Sequence, residues 1–426
     1  MARNRVIYQS EALFVGKNIN SSETGEHRQL TRIQSANYKF DISRQDINQY
    51  GQLARIDALV INSPTVTLDF TYYPTDGFNE RALGFYVGTG TGAFYSAGNF
   101  ASGQMGNSSG QNFFIVTTKE GSDLNFDTQT SVSGKFGGVD STGYIPALSG
   151  KGVIGIGNAF LTNYSFDAGV GAIPTVNVSV EGLNLNSNTY AYTSGTPTGT
   201  SNGAFLFSGG SEGVATPLID PSKGTAVTGV NVKLPTPQES TGAGWITALR
   251  PGDIVLNFDT YGAGTSLSTK AVPMANISGS TDGIASDGLH LQKATLTLPL
   301  KRTPINRLGT RFAFARVVDF PILATLNVNA ILNEVESRNL ANMLDDSTER
   351  DITIRIKNPT DASKDALVYT LKGSRMTSES FSSSIGSNKT VDITFETQIG
   401  GPSDTKHGIF VSGAGTQDSA VNAWGY

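Results

Sequence analysis

The chain has 426 residues, no cysteine and a formal net charge of −5. Without cysteine it can form neither disulfides nor a thiolate nucleophile, and its acidic balance argues against a protein that grips nucleic acid by neutralising phosphates. Charged residues make up only 16% of the chain and glycine occurs 49 times, which is typical of strands and turns. An apolar fraction of 38% predicts that burial against another subunit supplements the core.

The first predicted strand covers residues 33–43, where apolar and polar residues alternate with a period of two. Tyr38, Phe40 and Ile42 fall on its apolar face. A loop through Gly51 leads to a second strand over residues 53–62, which ends before Pro64. A third strand follows with Val66, Leu68 and Phe70. The segment therefore opens with a β-hairpin and a proline-marked bend.

Further elements follow in chain order: a short helix over residues 76–84, a strand over 113–117, paired strands within 162–181, and a turn and strand around 245–256. Beyond these, the pattern predicts strands over 295–300, 311–319 and 326–331, a helix from Asn333 with a capping-box Glu336, and a strand over 352–356.

Many of these elements occur twice. A first block recurs 258 positions later (302 minus 44), with identities at Gln34 and Gln292, Ala36 and Ala294, Arg44 and Arg302, Ile47 and Ile305, Asn48 and Asn306, and Gly51 and Gly309. A second block recurs 215 positions later (377 minus 162), pairing Thr162, Ser165, Phe166, Gly171, Thr175, Val176 and Glu181 with Thr377, Ser380, Phe381, Gly386, Thr390, Val391 and Glu396. The simplest interpretation is a tandem duplication of one β domain.

This duplication predicts a mainly β protein with two tandem antiparallel domains of β-sandwich or barrel-forming type, each with a short flanking helix. We place the first domain with its N-terminal arm at 1–185, a Gly/Ser/Thr-rich β insertion or connector at 186–285, the second domain at 286–400 and a C-terminal arm at 401–426. The N-terminus lacks the apolar run of a signal peptide, and no stretch approaches the ~20 apolar residues of a membrane span. We therefore expect a soluble protein made in the cytoplasm.

The repeated motif Arg-x-x-Ile-Asn-x-x-Gly falls at the tip of each opening hairpin, as Arg44, Ile47, Asn48 and Gly51 and again as Arg302, Ile305, Asn306 and Gly309. One interpretation is structural, with glycine and asparagine forming a turn and isoleucine tucked inward. The other is a loop that docks on a neighbouring subunit or ring, where each arginine finds a carboxylate. The two interpretations are compatible.

Catalytic patterns are weak. The sequence Gly106-Asn107-Ser108-Ser109-Gly110 fits a nucleophile elbow, but it lies in a glycine- and serine-rich loop with no helix predicted after it. The three histidines have no metal-ligand spacing. We predict no catalytic residue, no cofactor and no metal, and therefore no enzyme.

Residues 34–51 and 157–181, with the second-copy runs 291–309 and 376–397, resemble tail tube proteins of long-tailed bacteriophages. The resemblance implies stacked rings whose inner sheets join into a barrel around a lumen, through which genomic DNA passes without specific binding. If a ring presents six domains, a chain with two needs three copies; six chains with one lining copy is the alternative. Other tail proteins would be its partners, in the virion tail.

Within that resemblance, the polar faces of the opening strands are candidates to line the lumen, and we expect them to be polar and acidic so that a duplex is not retained. The residues are Asn37, Lys39, Asp41 and Ser43 in the first copy and Thr295, Thr297 and Lys301 in the second. The alternatives are a tail terminator or a baseplate or tail-tip protein of the same fold, with 186–285 as an added module, and a surface adhesin.

Overall fold

The computed structural model describes residues 11–17, 27–89, 98–107, 110–118, 152–191, 205–207, 219–220, 225–226, 233–234, 246, 248–260, 290–331, 349–386 and 388–413.

The described residues up to 191 form eleven strands and two short helices, in the order β1 (Glu11–Lys17), β2 (His27–Gln29), β3 (Ile33–Asp41), β4 (Arg44–Ile47), β5 (Asp57–Val60), β6 (Thr65–Tyr72), α1 (Phe78–Ala82), β7 (Gly88–Thr89), α2 (Ser102–Met105), β8 (Gln111–Thr117), β9 (Gly152–Gly169), β10 (Thr175–Gly182) and β11 (Asn184–Ala191).

The remaining strands are β12 (Phe205–Phe207), β13 (Ile219–Asp220), β14 (Thr225–Ala226), β15 (Lys233–Leu234), β16 (Ile254–Thr260), β17 (His290–Pro299), β18 (Arg302–Ile305), β19 (Ala315–Val318), β20 (Leu323–Ile331), β21 (Arg350–Asn358), β22 (Asp361–Ser382), β23 (Thr390–Gln398) and β24 (Gly408–Gly413). A 3₁₀ turn, Pro251–Asp253, precedes β16. The predicted mainly β, antiparallel fold class is confirmed.

Eight strands form a central sheet in the order β3-β6-β10-β9-β17-β20-β23-β22. The first four come from the first repeat and the last four from the second, in equivalent order. Every ladder in this sheet is antiparallel. The two repeats are therefore joined head to tail, because β9 of one pairs with β17 of the other.

Each repeat adds an outer sheet, β2-β1-β8-β9-β11 in the first and β16-β21-β22-β24 in the second, where β7 of the first repeat pairs in parallel with β24 at the edge. The long strands β9 and β22 belong to both layers, since one end pairs in the outer sheet and the other in the central sheet. The period-two pattern of the central strands buries one face, as with Leu68, Val178, Leu326 and Ile393. A single apolar core joins these layers.

Several of the repeated identities have local structural causes. Gln34 and Gln292 each lie at a register shift in the first strand of their repeat. Thr162 and Thr377 lie at equivalent shifts in β9 and β22, and their hydroxyls donate to the carbonyls of Ser179 and Thr394. A bulge leaves a residue without a ladder partner, and a threonine hydroxyl can satisfy the backbone there.

The matched glycines have positive φ angles: 84° at Gly51 and 87° at Gly309 at the hairpin tips, and 79° at Gly171 and 87° at Gly386 after the long strands. This left-handed conformation is costly for a side chain with a Cβ, so the turn role predicted for Gly51 and Gly309 has a direct backbone reason.

Two segments differ from the sequence-based division. β16 lies within 186–285, yet it pairs with β21 as β1 pairs with β8. β24 lies within the predicted C-terminal arm, yet it is buried and pairs with β22. The strand around 245–256 was predicted, but its place in the second repeat, like the whole of β24, was missed because no repeated identity marks either segment. The short helix predicted at 76–84 is α1, and the helix predicted from Asn333 lies outside the described residues.

Candidate assembly surfaces

The junction between the two repeats shows how one repeat binds the next. β17 pairs with β9 from Lys293 opposite Gly169 to Pro299 opposite Asn163. On the covered face, Leu296 meets Phe166 and Leu298 meets Tyr164, and all four side chains are at most 1% exposed. On the uncovered face, Lys293 pairs with Asp167 at 3.0 Å and the Thr295 hydroxyl donates to the same carboxylate. The junction thus has an apolar and a polar side.

The hairpin β18–β19 of the second repeat packs on the first repeat through two buried arginines. The Arg302 guanidinium donates to the carbonyl oxygens of Gln104 and Asn107, and lies 4.4 Å from the ring centre of Phe160. Arg316 donates to the carboxylate of Glu181 at 2.6 Å. Charge-assisted bonds of this kind, shielded from water, orient the hairpin strongly.

These contacts correct one expectation. The sequence predicted that Arg302 would find a carboxylate on a neighbouring subunit. Instead its guanidinium is buried within its own chain and binds main-chain carbonyls of the first repeat. Carbonyl oxygens carry no sequence signal, which is why this partner could not be anticipated. Arg316, which has alanine (Ala58) at the equivalent position of β5, was missed because it is not part of the repeated motif.

Three tyrosines and one glutamate are buried between the layers of the two repeats. The Tyr72 hydroxyl donates to Glu80 Oε1 at 2.8 Å, the Tyr164 hydroxyl to the same oxygen at 3.2 Å, and the hydroxyls of Tyr164 and Tyr369 are 2.8 Å apart. Burial raises the pKa of Glu80 above its ordinary value and raises the pKa of each tyrosine well above 10. The cluster links α1 and β6 to a strand of the second repeat.

Glu80→Gln is expected to change how stability depends on pH. Because the pKa of Glu80 is raised in the folded state, the native protein holds this proton more tightly than the unfolded chain. The resulting stabilisation is complete below the unfolded value near 4.5 and is lost as pH rises through the folded pKa. Glutamine still accepts both hydroxyls without a charge. In thermal melts from pH 4 to pH 8, the melting temperature of the variant should therefore rise relative to that of the wild type as the pH increases.

Asp69→Asn, which removes an exposed carboxylate of the central sheet, controls for the loss of one negative charge. A difference in melting temperature between Glu80→Gln and the wild type that stays constant across this pH range would contradict the raised pKa of Glu80.

The strands at the two ends of the central sheet, β3 and the 375–382 part of β22, are the equivalents of β17 and β9 in the internal junction. Among the described residues, β3 pairs in this sheet with β6 alone, and the 375–382 part of β22 pairs with β23 alone. Tyr38 and Phe40 on β3 are 43% and 54% exposed, whereas their equivalents Leu296 and Leu298 are 1% and 0% exposed. The predicted apolar face of residues 33–43 is therefore correct in pattern but exposed, because no described strand of the outer sheets lies over this edge strand.

The hairpin β4–β5 is likewise uncovered. Arg44, Ile47, Asn48 and Gly51 are all exposed, and the loop between the strands also exposes Tyr50 and Leu53 almost completely. In the equivalent hairpin, Ile305, Asn306 and Gly309 are at the exposed tip while Arg302 at its base is buried. The tucked isoleucine of the structural interpretation is not observed at either tip. Contact with another subunit stays a prediction for these tips.

The lumen candidates of the opening strands lie on the uncovered, polar side of the central sheet. Asn37, Lys39 and Asp41 alternate with the apolar residues of β3, and Thr295 and Thr297 do so on β17. Ser43 and Lys301 follow these strands and are exposed. Across the eight strands, carboxylates outnumber basic groups on this side: Asp41, Asp69, Asp167, Glu181, Asp392 and Glu396 against Lys39, Lys293 and Arg375.

The described part of the chain shows no group of three His, Asp or Glu residues placed to hold a metal ion. The serines of the nucleophile-elbow pattern, Ser108 and Ser109, lie outside the described residues. Among the helices that the structure describes, none is long and apolar enough to cross a membrane.

No protein-family model matches the chain, and no curated protein matches it significantly by sequence. Among solved structures, the chain is similar to a chain of the anti-feeding prophage baseplate (6-fold symmetrised), with 10% identity and a TM-score of 0.23 over 38% of this chain and 93% of that one. It is also similar to the tube-terminating cap of the anti-feeding prophage, with 5% identity and a TM-score of 0.22 over 37% of this chain and 88% of that one. Similarity at this level assigns neither fold family nor function.

Proposed function

We propose that the protein is a structural component of a phage-like tail, which assembles head to tail into rings whose central sheets join around a channel. The observation that carries this proposal is the internal junction. One repeat binds the next through β9 and β17, and the equivalents of these strands, β22 and β3, lie at the two ends of the central sheet, where no described strand pairs with their outer edges. A contact of this heterologous kind generates a ring when its rotation closes, and an open filament when it does not.

Closure of the ring has a physical advantage over the isolated chain. A sheet edge exposes unpaired N–H and C=O groups, which makes it prone to uncontrolled association. A closed barrel removes both edges and covers the apolar residues of β3. The half-exposed aromatic side chains Tyr38 and Phe40 support assembly through β3, since burying the remaining half of each contributes ~1 kcal/mol.

The polar side of the central sheet would face the channel, since the other side is covered by the outer sheets. Its excess of carboxylates supports a conduit for genomic DNA, because each basic group that contacts a phosphate adds salt-sensitive affinity that slows passage. The sequence resemblance to tail tube proteins supports the same role. The chain would then be a virion tail protein that binds copies of itself and other tail proteins.

We expect three chains in each ring, which gives pseudo-sixfold symmetry from six repeats. With eight central strands in each chain, three chains would close a barrel of 24 strands. Native mass spectrometry of assembled rings should give a mass three times the 44.9 kDa of one chain, and top-view class averages from negative-stain microscopy should show six lobes. Six chains in each ring would contradict this stoichiometry, and a monomer at high concentration would contradict the ring itself.

A tail terminator or a baseplate or tail-tip protein is the second candidate. It is favoured by β12 and β15, which extend the outer sheet of the first repeat from β11 with strands that have no described equivalent in the second repeat. The same microscopy separates the candidates. Long hollow filaments support the tube, and single rings that do not stack support a terminator or baseplate role.

A further inference from the structure

We propose a specific strand register between neighbouring chains, in which β22 of one chain pairs antiparallel with β3 of the next and Phe381 lies opposite Tyr38. The inference rests on the proposed ring and deepens it by naming the partner of each edge, a second copy of this chain. It is derived by carrying the internal junction onto the ends of the sheet.

The transfer uses the two offsets of the duplication. In the junction, Leu296 lies opposite Phe166 and Thr295 opposite Asp167. Subtracting 258 from the β17 positions and adding 215 to the β9 positions places Tyr38 opposite Phe381 and Asn37 opposite Ser382. The complete set within the two strands is Asn37 with Ser382, Tyr38 with Phe381, Lys39 with Ser380, Phe40 with Glu379, and Asp41 with Ser378.

Irregularities of the strands support the same register. The bulge at Gln34 in β3 corresponds to the bulge at Gln292 in β17, and the bulge near Thr377 in β22 corresponds to that near Thr162 in β9. Bulges change which face each following residue occupies. Because they coincide, the faces of β3 and β22 alternate in phase with those of the internal junction.

The exposure of the side chains agrees with this pairing. Phe381 is 38% exposed while its equivalent Phe166 is fully buried, and both Tyr38 and Phe381 lie on the side that the outer sheets cover elsewhere. Ser380, Ser382, Asn37 and Lys39 lie on the polar side. A shift by one residue would place aromatic side chains in the channel. The pair that differs most from the internal junction is Phe40 with Glu379, where the junction has Leu298 with Tyr164.

Because the natural chain has no cysteine, disulfide formation between introduced cysteines reports this register without background. Asn37→Cys with Ser382→Cys in one chain should give a disulfide between neighbours under mild oxidation, since directly opposed residues bring their Cβ atoms within about 5.5 Å. Non-reducing gels should show dimers and closed trimers that reducing agent returns to monomers. Lys39→Cys with Ser380→Cys is a second pair in the same register.

Two matched variants control the experiment. Thr295→Cys with Asp167→Cys tests the same geometry inside one chain, and should form an internal disulfide without any change of oligomer. Asn37→Cys with Ser378→Cys is displaced by four residues, about 13 Å along the strand, and should not cross-link.

Two results would overturn the register and leave the proposed function standing, provided that microscopy shows rings. In the first, only the displaced pair cross-links. In the second, no pair between chains cross-links although the internal control forms its disulfide. The absence of any assembled species for the wild-type chain would overturn both.

Discussion

Glutamate at both Tyr38 and Phe40 is expected to abolish assembly and to leave the protomer folded. Both side chains are about half exposed in the single chain, so the change costs little in its folding. In the ring they would be covered by the next chain, whose Glu379 lies opposite position 40, and the two introduced carboxylates would lose hydration and repel that glutamate, at a cost of several kcal/mol. Sedimentation velocity should show a monomer at concentrations where the wild type forms rings, and circular dichroism should show an unchanged spectrum and melting temperature.

The matched control is Leu296→Glu with Leu298→Glu, the same change at the equivalent positions of β17. These side chains are buried against Phe166 and Tyr164, so the expected result is an unfolded protomer. A Tyr38→Glu/Phe40→Glu variant that unfolds as this control does, or that stays folded and still forms rings, would contradict head-to-tail assembly through β3.

Arg302→Ala is expected to destabilise the protomer by about 2–4 kcal/mol, because it removes buried charge-assisted hydrogen bonds and takes the guanidinium donor away from the carbonyl oxygens of Asn107 and Gln104. Arg44→Ala, at the equivalent position of the uncovered hairpin, is expected to leave the stability within ~0.5 kcal/mol of the wild type. Urea denaturation of the monomeric Tyr38→Glu/Phe40→Glu background measures both effects without interference from assembly.

Arg302→Lys separates the contribution of the charge from that of the guanidinium. Lysine cannot donate to several carbonyls in one plane, so it should recover only part of the lost stability. Equal stability of Arg302→Ala and Arg44→Ala would contradict the role assigned to the buried guanidinium. If Arg44→Ala blocks assembly without changing stability, the hairpin tip predicted from the repeated motif takes part in a contact between subunits.

The sequence alone was sufficient to determine the duplication, the antiparallel β class and most strands of the central sheet. Those strands alternate with a period of two between their bulges, and this pattern depends on one buried face rather than on distant contacts. The turn glycines Gly51 and Gly309 could be recognised for the same reason, since a positive φ is a local demand of the backbone.

Only the tertiary structure decided how the two repeats are joined and which equivalent residues are buried. Arg44 and Arg302 belong to identical motifs, yet one is exposed and the other binds carbonyls of the first repeat. Tyr38 and Leu296 likewise occupy equivalent positions with opposite exposure. A side chain's burial depends on what lies across the strand from it, and in a duplicated chain that neighbour exists inside the molecule for one copy and at its edge for the other. The sequence pattern is the same in both cases, so the difference is visible only once the strands are placed.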